Sequence, residues 1–122
     1  MNRGQEVYKL VRLRSVDGRP NVFVESYIPV VPYPGLDGFD LNAASLYDTM
    51  ERCGRTVVSA HRRLEVVSAD ATTAVLLDVE VGDPLFLFHT VAKDDAGTPV
   101  EYSIATYRGE SNSFEFEVNR NR

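Results

Sequence analysis

The dipeptide Asp17-Gly18 constrains this chain more than any other pair of residues. It lies between two runs of β-branched and aromatic residues, Val7 to Val16 and Asn21 to Ile28. Asp-Gly accepts positive φ at both central positions of a two-residue turn, and the twist of such a turn matches that of paired strands. A hairpin follows, and with it an antiparallel sheet. Pro29, Pro32 and Pro34 end the second strand in a stiff extended segment, and the loop PGLDGFDLNAA leads to Ser45. Ser45 is placed to cap a short helix, SLYDTMERCG, with Asp48 three residues on and Gly54 as its stop. Thr56 to Ser68 reads as a long strand, polar on one side. Asp70 is placed to cap a second helix, ATTAVLL. VGDP, at 81 to 84, reads as a turn. Leu85 to Lys93 and Thr98 to Arg108 make a second hairpin around DDAG, and Ser113 to Val118 alternates as a last strand. The predicted fold is α+β: a mostly antiparallel sheet with flanking helices packed on one side.

Length and charge narrow the function. At 122 residues the chain is expected to form one domain with a core of its own. No apolar run approaches the 18 or so residues of a membrane span, and MNRGQEVYKL lacks the apolar stretch of a signal peptide. Cys53 is the only cysteine, so there is no internal disulfide, which suits a reducing cytosol and a cytoplasmic location. One cysteine with His61 and His89 does not make a structural zinc site, and no metal or cofactor is expected. The formal charge is -5, with 13 Lys+Arg against 18 Asp+Glu and no basic block. A strong grip on nucleic-acid backbone needs clustered cations, which this chain lacks.

Side-chain parity then singles out candidate site residues. Successive strand residues face opposite sides. A two-residue Asp17-Gly18 loop pairs Arg14 with Asn21, Arg12 with Phe23 and Leu10 with Glu25. That register puts Arg12, Arg14, Phe23, Glu25 and Tyr27 on one face, and Val11, Leu13, Val22, Val24 and Ile28 on the other. The first group is either a solvated face with an Arg–Glu pair, worth under about 1 kcal/mol, or a pocket wall whose arginines offer forked donors to a phosphate or carboxylate. In PVEYSIATYRG, Glu101, Ser103, Ala105 and Tyr107 share a face, and the two small residues leave space for a ligand or for solvent. Most serines at helix starts only cap, yet Ser45 with the backbone at Leu46 and Tyr47 has the donors to hold an anion.

Several short motifs occur in a fixed order: RLRSVDGRP (12 to 20), VESYIP (24 to 29), PGL (34 to 36), SLYDTMERCG (45 to 54), LLDVEVGDPLF (76 to 86), DDAGTPVEYS (94 to 103) and YRGE (107 to 110). Together they resemble the UTRA domain, the effector-binding domain of HutC-like GntR-family bacterial transcription regulators, related in fold to chorismate lyase. The resemblance implies an effector domain spanning residues 1–122, usually dimeric, that modulates DNA binding through a winged helix-turn-helix domain preceding it. There is no room for that domain before residue 7, so an isolated effector domain is expected. The resemblance also implies that Arg12, Arg14, Ser45 and Tyr47 hold a phosphate, as in sugar-phosphate-sensing members. Glu25, Glu101 and Tyr107 would contact the rest of a small anionic effector. The family's pocket-closing segment before the first strand is largely missing, and Cys53 stands where relatives often carry an aromatic. Two other readings remain: a chorismate-lyase-like enzyme with a glutamate as acid or base, and a dimerisation module with a vestigial pocket. The expectation is a sensor and not an enzyme.

Overall fold

A computed structural model describes residues 4–41 and 45–120. Asn42 to Ala44, within the loop before Ser45, lie outside the described residues. Strands β1 (Val7–Val16) and β2 (Arg19–Pro29) form the first hairpin, and a 3-10 turn at Leu36–Gly38 follows. Helix α1 (Leu46–Arg52) leads to β3 (Val57–Ser68), helix α2 (Ala71–Leu77), β4 (Pro84–Asp94) and β5 (Pro99–Arg108). The five strands make one antiparallel sheet in the order β1-β2-β5-β4-β3. The first hairpin is therefore zipped to the second through β2 and β5, and β3 lies at the far edge.

Both turns follow from local chemistry. Asp17 and Gly18 take φ of 53° and 76°, the pair of positive values that a two-residue hairpin turn requires. In the second hairpin the buried Asp94 side chain organises the turn. Its Oδ1 accepts from the backbone N–H of Ala96 (3.0 Å) and Thr98 (2.9 Å), and Arg55 Nη1 donates to its Oδ2 at 3.2 Å. The bond from Thr98 and the Arg55 guanidinium hold this carboxyl below the usual aspartate range.

The first hairpin departs from simple counting at one residue. Val16 faces Arg19 and Ser15 faces Pro20, but Arg14 then faces Val22. Asn21 is the extra residue of a β-bulge. Pro20 brings no N–H to the ladder, and the Asn21 side chain turns away to accept a hydrogen bond from Asn112 Nδ2 at 2.8 Å. A one-residue shift sends every later side chain to the opposite face. Arg12 therefore faces Val24, and Glu25 faces Val11. The expected company of Arg12 and Arg14 with Phe23, Glu25 and Tyr27 is corrected: the arginines share their face with Val22, Val24, Ser26 and Ile28.

The helices lie on opposite faces of the sheet and not on one side. Leu46 and Met50 of α1 are buried with Ile28, Tyr33, Leu36 and Val100, beside Tyr8 and Leu10. Ala74 and Leu77 of α2 are buried with Ala69 and Leu85, beside Phe23 and Val67. Each face of the sheet carries an apolar sector, and each sector needs a cover. The α2 cap forms as its sequence implies, with Asp70 accepting from the Thr73 N–H at 2.8 Å. Residues 113–118 are not a strand. Phe114 packs edge-on against Phe86, Phe88 and Tyr107, so the segment meets the sheet on its face, where no ladder is open to it. Phe116 and Val118, at 80% and 92% exposure, find no such seat.

Candidate functional site

The sheet face that carries Arg12 is only partly covered by α1, and a cavity of about 510 Å³ lies between them. That volume is within the range of small-molecule sites. Its floor comes from the central strands: Val24 of β2, Ser103, Ala105 and Tyr107 of β5, and Thr90 of β4. Ser45, Leu46 and Tyr47 at the start of α1 form one wall, and Ala60 and Arg62 of β3 close the far side. Arg12 enters from β1, and Glu101 rises from β5. Pairing explains why these residues meet. Ser26 faces Ser103, Ser103 faces Thr90, and Thr90 faces Arg62, so three hydroxyls and a guanidinium run in one row across the sheet.

Tyr47 and Glu101 form the polar centre. The Tyr47 phenol donates to Glu101 Oε1 at 2.6 Å, and Glu101 is 3% exposed. Burial, followed by the bond to Glu101 and its charge, pushes the phenol above the usual tyrosine range, so Tyr47 remains a donor. Arg12 donates from Nη2 to Ser26 Oγ at 3.4 Å, while its buried Nε meets no acceptor among the described residues. Burial and the neighbouring Arg14 lower the Arg12 pKa, and Glu101 and Tyr47 act against that shift. A buried donor without a partner is costly. An incoming anion would satisfy it.

Five of the seven residues singled out from the sequence line this cavity: Arg12, Ser45, Tyr47, Glu101 and Tyr107. Arg14 is on the same face at its margin and donates to the Leu41 carbonyl at 3.4 Å. Glu25 is on the opposite face because of the Asn21 bulge. There it pairs with Lys9 at 3.6 Å and accepts from the Tyr27 hydroxyl at 3.5 Å. Ser45 is the N-cap residue of α1, but its side chain makes no capping bond. Its carbonyl instead accepts from the Thr49 N–H and hydroxyl. Neither histidine faces the pocket. His89, on the far face, contacts Tyr102 and Glu65, and His61 faces Val91 on that side. Among the described residues no His, Cys, Asp or Glu cluster is placed to hold a metal ion.

Parity within β2 alone missed Ser26, and nothing in the local pattern of β3 singled out Arg62. The alternation Ala60, Arg62, Leu64 marks a shared face, but only the pairing of β3 with β4 identifies it as the pocket face.

The family model described as the UTRA domain matches residues 1–112. An Escherichia coli K12 protein named "Probable fructoselysine utilization operon transcriptional repressor" is 32% identical over 99 residues, which are 80% of this chain and 41% of that protein. The HTH-type transcriptional repressor PhnF of Mycolicibacterium smegmatis is 30% identical over 112 residues, covering 91% of this chain and 46% of that one. The crystal structure of the effector domain of PhnF from Mycobacterium smegmatis superposes with a TM-score of 0.91 at 26% identity, over 98% of this chain and 74% of that chain. This chain spans less than half the length of the curated relatives it matches. No described helix is long and apolar enough to cross a membrane.

Proposed function

This chain belongs to the UTRA domain family, and from that premise we propose that it is the effector-binding domain of a GntR/HutC-type transcription regulator, taking a small anionic metabolite such as a sugar phosphate. The observation that carries this reading is the cation at the end of the pocket. Arg12 keeps a buried Nε without an acceptor among the described residues, and it has no carboxylate within ion-pair distance there. A phosphate or carboxylate between Arg12, Arg14 and Ser45 would satisfy it with charge-assisted bonds. Glu101, Tyr107 and the Ser103 hydroxyl then meet the hydroxyls of the ligand.

In this reading the ligand prefers one state of the domain, and that preference is the signal. The signal reaches DNA through a winged helix-turn-helix domain preceding this one in the full-length regulator. A homodimer fits the same picture. The face away from the pocket leaves Val11 and Leu13 exposed on β1, with Tyr27, Tyr102, Ile104 and Val91 only partly buried beside them. An apolar surface of that kind is suited to a second copy.

The test is calorimetric titration with a sugar phosphate and its dephosphorylated counterpart, glucose 6-phosphate and glucose. Arg14→Ala and Ser45→Ala should weaken the phosphorylated ligand more than the other. Equal losses for both would remove phosphate as the contacted group. Incubation with chorismate tests for enzymatic activity: appearance of 4-hydroxybenzoate would sink the reading as a sensor alone.

A further inference from the structure

Arg62 is not needed to grip one anion at Arg12, yet it faces the same cavity from the opposite edge of the sheet. Its guanidinium is fixed in place. Nε donates to Thr90 Oγ1 at 3.2 Å, and the group lies over the Phe88 ring, 4.3 Å from its centroid. These contacts use one of its donors and one of its faces. No described residue accepts a hydrogen bond from its two Nη groups, and no described carboxylate lies within ion-pair distance. Arg63, the next residue on β3, points to the opposite face and pairs with Glu65 at 3.1 Å. The strand thus neutralises one arginine and holds the other ready over the pocket.

We infer that Arg62 is a second anion-binding point, and that the effector carries two anionic groups, one at each end. This rests on the pocket reading above and narrows its ligand class. Arg12 reaches over Ser26, and Arg62 reaches over Thr90. Ser26 and Thr90 are two strand spacings apart, roughly 10 Å. Ser103 lies between them in the same row, with Tyr47 and Glu101 above the gap. A ligand of that span has an anion at each arginine fork and hydroxyls in the middle, where the hydroxyl row and the carboxylate meet them. Both guanidiniums are close enough to Tyr47 to act on its phenol electrostatically, so they serve one cavity and not two separate surfaces. The second anion is a carboxylate or a phosphate, and a planar fork accommodates either.

Three probes test this by calorimetry at fixed salt: glucose 6-phosphate with one anionic end, 6-phosphogluconate with a phosphate and a carboxylate, and fructose 1,6-bisphosphate with two phosphates. Wild-type protein should bind at least one of the doubly anionic probes about tenfold or more tightly than glucose 6-phosphate. Whichever gains more identifies the second group. Arg62→Gln should erase that gain and weaken glucose 6-phosphate far less, and an unaltered thermal unfolding transition shows that the variant is folded. Arg62→Lys, which keeps the charge, should retain part of it. Equal wild-type affinity for all three probes, or an Arg62→Gln loss shared equally by all three, overturns the second binding point. If glucose 6-phosphate binds and depends on Arg12, the pocket reading survives that result. If no probe binds wild type, the pocket reading fails and takes this inference with it.

Discussion

The two faces of one sheet treat charge in opposite ways. On the face away from the pocket, Lys9 pairs with Glu25, and Arg63 and His89 both reach Glu65. On the pocket face Arg12 and Arg62 have no carboxylate within ion-pair distance among the described residues, although the chain has 18 Asp+Glu. The buried carboxylate that lines the cavity, Glu101, is held by Tyr47. Strands of similar composition thus build a self-neutralised surface on one side and an unsatisfied cationic cleft on the other. Arg108 also keeps a buried Nε without an acceptor among the described residues, but its Nη groups reach the Pro20 carbonyl and Glu110, whereas Arg12 has no carboxylate to offset its desolvation, which is costly. The contrast fits the proposed binding face.

The contrast depends on a one-residue register, and shifting it should have the largest effect. Deleting Ser15, on the β1 side of the bulge, leaves Asn21 in place and drives β1 toward the register in which Arg12 faces Phe23. Apolar and charged side chains then compete for the wrong faces, and the loss of stability should be about 3 kcal/mol. Chemical denaturation measures it, and wild-type stability in the deletion variant would mean that this register does not fix the faces. Next, Arg12→Ala should weaken glucose 6-phosphate by about 1.5 to 3 kcal/mol in calorimetry, the worth of a hydrogen bond to a charged group. An unchanged affinity would break the comparison, since the cleft's cation would then be idle. Tyr47→Phe leaves the buried Glu101 without its donor and should cost about 1 kcal/mol of folding stability in urea. A neutral result would indicate that water takes over that bond. The smallest effect is expected on the far face. Glu25→Ala removes a partly exposed pair with Lys9 worth under about 1 kcal/mol and should leave ligand affinity unchanged. A loss of affinity there would return Glu25 to the site.

Much of the candidate site was legible from residue types and spacing. The pattern of β5 put Glu101, Ser103, Ala105 and Tyr107 on one face without reference to any other strand, and all four line the cavity. Ser45 followed from the helix start, and the Tyr47 side chain from the family resemblance. The failures have a common cause. Glu25 was misassigned because parity carried across a hairpin depends on every residue in between, and one bulge reverses it. Arg62 was overlooked because its face is defined only by pairing with β4. SFEFEV has the alternation of a strand, but alternation describes a two-sided segment and does not supply an edge to pair with.

Local chemistry therefore determined where this chain turns and where its two helices and five of six expected strands lie, and it supplied the arginines, carboxylate and phenol of the candidate site. Asp17-Gly18 turns, Asp70 caps and Asp94 folds its own loop because each acts within a few residues. Tertiary structure decided which of those side chains look into the same space. The bulge at Asn21 is tied to Asn112, 91 residues away, and Arg62 meets the pocket only because β3 lies along β4. With a side-chain period of two, a shift of one residue settles the face, and contacts distant in sequence settle the shift.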